Sequence, residues 1–262
     1  MAENLYYHYY GGSKFNIDDI LSERVALNHV SSFNDPCEIA LLSDEGFRYL
    51  YEWHFRAFCF SKTYLNAHMW GHYGNSNRGF CAGYDCDDIV NIPEYKDRLM
   101  FEKIKYVDTI PSLSDNEIKK GLALYYKNKG WDKEKEFRTV IFLHDKDIEF
   151  ISKNQFEKTR EERLKTDIDF ESIIDWNFAF ISQIQETTRD SVISTLRRHR
   201  KTQNWFIHKE YEYCELKSAD GKTKFGRLPL RVYGTLRPKV IYLGLKTPDD
   251  TREKLKEYAK KR

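Results

Sequence analysis

The chain has 262 residues, enough to bury one large core, and its 43 lysines and arginines against 41 acids leave a formal charge of +2, which singles out neither nucleic acid nor a membrane surface as partner. Five cysteines (Cys37, Cys59, Cys81, Cys86 and Cys214) are odd in number and lack C-x-x-C spacing, so neither a disulfide framework nor a zinc knuckle is expected. No basic-then-apolar leader opens the sequence and no apolar run nears the ~18 residues that span a bilayer, so a reducing, cytoplasmic setting is expected.

Leu5 to Tyr10 (LYYHYY) reads as an aromatic strand stopped by Gly11-Gly12. A helix is expected next, capped by Asn16 with Asp19 in the box position and striped by Ile17, Ile20 and Leu21. Ser31 to Pro36 is a polar turn, and Asp44 opens a second helix with Phe47, Leu50 and Tyr51 inward. Phe55 to Lys62 (FRAFCFSK) is a strand with Phe58 and Phe60 on one face and Ala57, Cys59 and Ser61 on the other. A short segment, Asn66 to Tyr73, leads through a Gly-Asn-Ser-Asn turn to strands at Phe80–Tyr84 and Phe101–Val107. A capping box of Ser114 and Glu117 starts a helix carrying Ile118, Leu122, Tyr125 and Tyr126, which Gly130 ends. The strand that follows turns wholly apolar towards Phe142, and the alternation predicts Glu134, Glu136 and Arg138 on one of its faces.

From Asp145 the texture changes: a highly charged stretch at Lys153–Lys165, then two expected helices over Phe170–Arg200. After Trp205 the sequence returns to strands at Phe206–Leu216, Lys224–Val232 and Val240–Leu245, with a last helix from Pro248-Asp249 burying Leu255, Tyr258 and Ala259. The expected organisation is an α+β core of residues 1–144 and 206–262 with flanking helices, interrupted by a helical insertion at 145–205.

Several groups of residues bear on chemistry. Glu134 and Glu136 beside a buried sheet could stabilise positive charge at a sugar carbon, if desolvation and Arg138 set their ionisation; the alternative is a salt ladder on a strand edge. His8 could donate to ribose hydroxyls, with Tyr10 on the same face for stacking, or be a structural histidine. Ser61, outside any Gly-x-Ser-x-Gly elbow, reads as a hydrogen-bond partner that orients a neighbour. Trp70 and Tyr73 in MWGHY could stack on a base or plug a core. His68 and His72 are four residues apart, but no third ligand is evident, so no metal is expected. The basic run Arg197, Arg198, Arg200 and Lys201 suits either a helix C-terminus or an anionic ligand.

Taken in order, LYYHYY, FNDPCE (Phe33–Glu38), FCFSK, MWGHYGNSNRGFCAGYD and WDKEKEFR resemble the motifs of a widespread bacterial family of unknown function, whose pattern runs L-Y-H-Y-T, N-D-P-x-E, C-F-S, M-W-x-H-Y-G and E-x-E-[YW]-R. The resemblance covers about residues 5–142 and 236–262. More remotely that family resembles ADP-ribosyltransferases. The resemblance implies a split β-sheet core and NAD as substrate: His8, with Tyr10, Trp70 and Tyr73 around it, would hold the nucleotide, and Ser61 would order the site. Glu136 would stabilise the cation formed as nicotinamide leaves, and Glu134 would orient a protein or nucleic-acid acceptor. Tyr10 stands where the family has Thr, and Lys62 where it has Glu. Toxin or anti-phage settings are implied as well. The other reading the residues leave open is a non-catalytic module that binds a nucleotide or a phage component.

Overall fold

The computed structural model describes residues 4–33, 54–109, 121–166, 205–217 and 222–261, together with 111, 113, 114 and 117. The expected helices at 44–51 and 170–200, the N-D-P-x-E motif and the Arg197–Lys201 run lie outside the described residues. The chain forms two compact units: Met1–Leu143 with Arg231–Arg262, and His144–Leu230.

The first unit is α+β, built on an eight-stranded antiparallel sheet. Its strands are β1 (Leu5–Tyr10), β2 (Arg24–His29), β3 (Phe55–Ser61), β4 (Phe80–Asp85), β5 (Leu99–Lys103), β8 (Glu136–Phe142), β13 (Arg231–Thr235) and β14 (Val240–Leu243). The order is β13-β2-β3-β1-β4-β14, with β8 between β3 and β5. One face of the sheet carries an aromatic cluster. Tyr6, Phe58, Phe60, Tyr84, Phe101 and Phe137 meet edge to face at centroid separations of 4.7 to 6.4 Å, a geometry worth about 0.5–1.5 kcal/mol per pair beyond burial.

Lys14–Leu21 and Asp249–Lys260 are the two longer helices among the described residues of this unit. Lys14–Leu21 buries Ile17 and Ile20. Its cap is Ser13 rather than the expected Asn16: Ser13 accepts from the Asn16 N–H, and the Asn16 side chain returns the bond as the box partner. The closing helix, Asp249–Lys260, buries Thr251 and Leu255, while Ala259, expected inward, is exposed.

The expected helix from Ser114 to Gly130 does not run through. Ser114 and Glu117 do exchange capping-box bonds. Gly121, however, takes φ +78°, a left-handed conformation that L side chains rarely adopt and that ends a helix. A 3-10 turn at Leu122–Tyr125 follows, and Tyr126–Asn128 (β7) pairs in parallel with β6 (Lys105–Val107). The expected strand Phe101–Val107 is accordingly two strands, broken at Ile104.

The second unit corrects the expected domain boundary. Its four-stranded sheet, β10-β11-β12-β9, comprises Trp205–His208, Tyr211–Lys217, Thr223–Pro229 and Glu149–Ile151. Residues 206–230 were expected in the core unit, but β12 pairs with β9 at Phe225↔Ile151, which makes β9 an edge strand of this sheet. The helix Lys153–Thr166 places Phe156 against Tyr213, with Ile151, Tyr211 and Phe225 around them. The expected strand Phe206–Leu216 is a hairpin, turned at Lys209 with φ +55°. Among the described residues no helix is long and apolar enough to cross a membrane.

Candidate functional site

The sheet of the first unit has a defect at its centre. β1 and β2 flank the same edge of β3, but β1 touches it only at Tyr7↔Ser61, and β2 only at Asn28↔Ala57 and His29↔Arg56. β1, by contrast, pairs with β4 along its whole length, as β3 does with β8. Between the two contacts the strands splay apart. A cavity of about 220 Å³ lies there, walled by Tyr7 and His8 of β1, Cys59 of β3, Tyr73, and the charged side chains Lys127, Glu134, Glu136 and Arg138.

Cross-strand partners share a face of a sheet, so Tyr7, Ser61 and Glu136 point the same way, as do Cys59 and Arg138. Gly83, opposite Tyr7, keeps that face open: a Cβ there would come within 2.9 Å of the Tyr7 ring. Glu134 reaches the site differently from the sequence expectation. It is the last residue of a 3-10 turn, Lys129–Glu134, and Lys135 at φ +51° stands between it and the strand. The two-residue alternation is therefore broken at Lys135, and the carboxylates are brought together by a turn.

All four charged groups are buried, with 1 to 4% of their surface exposed. The Lys127 ammonium donates to Glu134 Oε2 at 2.7 Å and to Glu136 Oε2 at 3.1 Å. Arg138 donates from Nε and Nη2 to Glu136 Oε1 at 2.9 and 2.6 Å, and from Nη1 to the Leu124 carbonyl at 2.7 Å. The Tyr73 hydroxyl donates to Glu134 Oε1 at 2.5 Å. Two carboxylates thus face two cations, which lets four ionised groups survive desolvation that would be prohibitive for one.

The two carboxyls differ in poise. Burial raises Glu136, but Arg138 and then Lys127 outweigh it and hold its pKa at about 2. For Glu134 burial dominates over the opposing pull of Lys127, the neighbouring Glu136 adds to it, and the pKa lies above the usual carboxylate range. Glu136 is the fixed anion, and Glu134 the group nearer to exchanging a proton. His8 is drawn down to about 4 by burial and is neutral at pH 7. Its ring stacks on Phe58 at 4.0 Å, and Nδ1 donates to the Cys59 carbonyl at 2.5 Å. The Cys59 thiol is pushed well up by burial and then by Glu136, which removes it as a nucleophile.

Of the residues singled out in the sequence, His8, Tyr73, Glu134 and Glu136 line the cavity, and Ser61, Tyr10 and Trp70 do not. Ser61 is fully buried, and its Oγ donates to the Glu134 carbonyl at 2.7 Å, so it positions the acidic turn rather than touching a ligand. Ser61→Ala should cost about 1–2 kcal/mol in urea unfolding, because the Glu134 carbonyl loses its donor in a buried place. Tyr10 belongs to the core: it stacks on Phe80, and its hydroxyl meets that of Tyr84 at 2.6 Å. Trp70 is a plug, its Nε1 bonded to the Tyr64 carbonyl and its ring edge-on to Tyr9. His68 and His72 lie with rings 4.3 Å apart, and among the described residues no group of three or more His, Cys, Asp or Glu could hold a metal. Sequence reasoning missed Lys127, having placed it inside a helix; Gly121, rather than Gly130, was the stop signal that would have freed it.

Residues 69–139 match the model of a family described as a protein of unknown function, DUF2971. The match takes in Tyr73, Lys127, Glu134, Glu136 and Arg138 and leaves out His8 and Ser61. No curated protein and no solved structure matches the chain.

Proposed function

We propose that the protein cleaves the nicotinamide–ribose bond of NAD and transfers the ADP-ribosyl group to a protein or nucleic acid. The observation that carries this reading is the buried carboxylate pair, Glu134 and Glu136, in one cavity with His8 where β1 and β2 part from β3. The reading is supported by the gap itself, which opens one edge of β3 between its contacts with β1 and β2. At about 220 Å³ the cavity is smaller than the ~300–1,000 Å³ of pockets that enclose drug-sized ligands, so it takes the reacting end of a dinucleotide and leaves the rest outside.

In this mechanism the C1′–N bond breaks with its electron pair passing to the pyridinium nitrogen, and nicotinamide leaves neutral. Glu136, ionised across the working pH range, stabilises the positive charge that develops on the ribose. The acceptor's nucleophile bonds to C1′ and gives its proton to Glu134, whose raised pKa suits that task. The test is to incubate the pure full-length protein with NAD and a bacterial lysate while following free nicotinamide and label transferred to macromolecules. Release with transfer is expected; absence of release sinks the reading.

One observation favours a second reading, a module that binds a nucleotide without turnover. Glu136 already accepts three N–H donors, two from Arg138 and one from Lys127, and the four charges cancel. Saturable NAD binding with no nicotinamide release would select it.

A further inference from the structure

The sheet of the first unit ends in an open margin. β14 is the last strand in its order and pairs only with β4. The phase of that ladder is fixed from both sides. Gly244 donates to the Gly79 carbonyl at 3.0 Å, one position beyond the pair Leu243↔Phe80. On the other side of β4, Cys86 donates to the Asn4 carbonyl, one position beyond Leu5↔Asp85. Hydrogen-bonded and non-bonded pairs alternate along an antiparallel ladder, so Phe80, Ala82 and Tyr84 bond to β1, while Cys81 and Gly83 bond to Tyr242 and Val240 of β14. The N–H and C=O of Ile241 and Leu243 therefore point away from β4. Among the described residues neither makes a backbone hydrogen bond outside that ladder.

A trough runs beside this margin. It holds about 430 Å³, lined by the consecutive residues Arg237 to Ile241 and by Tyr258 and Ala259 of the closing helix. Val240 and Ile241 point to opposite faces of the sheet yet both line it, so the trough follows the strand's edge rather than one face. An open strand edge with a helix alongside suits an extended segment that adds a strand: main-chain bonds hold it, and side-chain contacts select it. The lining includes two cations, Arg237 and Lys239, with side chains 52 and 44% exposed, and no acid. Their ion-pair partners, Glu23 at 3.8 Å and Asp88 at 2.8 Å, lie outside the lining. The charge therefore favours an acidic occupant. It disfavours a second copy of the chain, whose β14, paired antiparallel at Ile241 and Leu243, would set its Lys246 opposite Pro238, between Arg237 and Lys239.

We infer that this margin binds an extended, acidic segment of a partner protein as a further strand of the sheet. The segment pairs with the backbone of Ile241 and Leu243, and its carboxylates meet Arg237 and Lys239. The inference stands apart from the NAD reading. β4 separates β14 from β1, a distance of about 10 Å at the usual strand spacing, so an added strand leaves the cavity between β1 and β3 uncovered.

The experiment is a titration of the ¹⁵N-labelled full chain with the N-acetylated, C-amidated peptide EVTVEVTE and its lysine counterpart KVTVKVTK, following the backbone amides of Ile241 and Leu243. The acidic peptide should shift both resonances saturably and slow their hydrogen exchange, because each N–H gains an acceptor. The lysine peptide should bind at least about fivefold more weakly, the worth of one good exposed ion pair. Arg237→Gln combined with Lys239→Gln, at two half-exposed positions, should keep the fold and erase that preference. N-methylation of one set of alternate peptide residues should abolish binding, and of the other set should leave it unchanged, since only one edge of an added strand meets β14. Equal affinity for the two peptides, equal tolerance of both methylated sets, or amides of Ile241 and Leu243 that neither peptide moves overturns the inference. Concentration-dependent protection of those amides without peptide, with a dimer in sedimentation, assigns the margin to a second copy and overturns the acidic partner. Nicotinamide release enters none of these outcomes, so this inference and the transferase reading fail separately.

Discussion

Lys127→Met is expected to destabilise the first unit by about 3–5 kcal/mol at pH 7, the usual cost of leaving buried charge uncompensated. One ammonium bridges both carboxylates, at 2.7 and 3.1 Å, with 4% of its surface exposed. Without it Glu136 keeps Arg138, while Glu134 retains only the Tyr73 hydroxyl among the bonds described above. The penalty should depend on pH, with a definite sign. Glu134 already titrates above its ordinary value in the folded protein, and loss of Lys127 drives it higher. A carboxyl raised on folding contributes stability that is fully present below its unfolded pKa, about 4.3, and is lost as pH rises through the folded value. The gap between variant and parent should therefore narrow as pH falls from 7 towards about 4.5. Urea unfolding followed by tryptophan fluorescence at both ends of that range measures it. A gap of constant size would mean that the lysine acts through packing or through its ammonium 4.9 Å from the Trp131 ring centroid, and not by compensating Glu134.

How legible this arrangement was in the sequence depends on how local each signal is. The strands Leu5–Tyr10, Phe55–Ser61 and Phe80–Asp85 and the helix from Asp249 declare themselves through alternation or capping within a few residues. Elements decided by distant partners do not. Tyr126–Asn128 carries helical spacing yet pairs with Lys105–Val107. Residues 205–217 contain no glycine or asparagine to mark their turn, because Lys209 adopts the left-handed conformation itself. The same substitution of lysine for the expected turn residue hides the site's geometry. Lys135 breaks the ladder of Glu134, Glu136 and Arg138, and the side-chain meeting it produces differs from the one alternation predicts. His8 and Glu136 were identified from motifs, but their convergence depends on a gap between strands, which no local pattern encodes.

Glu136→Gln should lower nicotinamide release from NAD by about 10²–10³-fold, the range seen when a preorganised group facing transition-state charge is removed. By itself that loss is ambiguous. Arg138 is 1% exposed and spends two donors on Glu136 Oε1, so the amide also leaves a buried guanidinium short of its counter-ion and should cost several kcal/mol of stability. Pairing the change with Arg138→Met separates the two effects, since a buried ion pair replaced as a unit is often neutral for stability. The double variant should regain most of the unfolding free energy while nicotinamide release stays low, because restored packing does not restore a carboxylate beside the ribose. Recovery of both would mean that Glu136 serves only to hold Arg138, and the transferase reading would lose its central residue. Glu134→Gln makes the complementary comparison: Glu136 remains ionised, so cleavage of NAD by water should persist while transfer to an acceptor falls. Its removal should also abolish an acid limb in the pH–rate profile that lies above the usual carboxylate range, the direction in which burial has already moved Glu134.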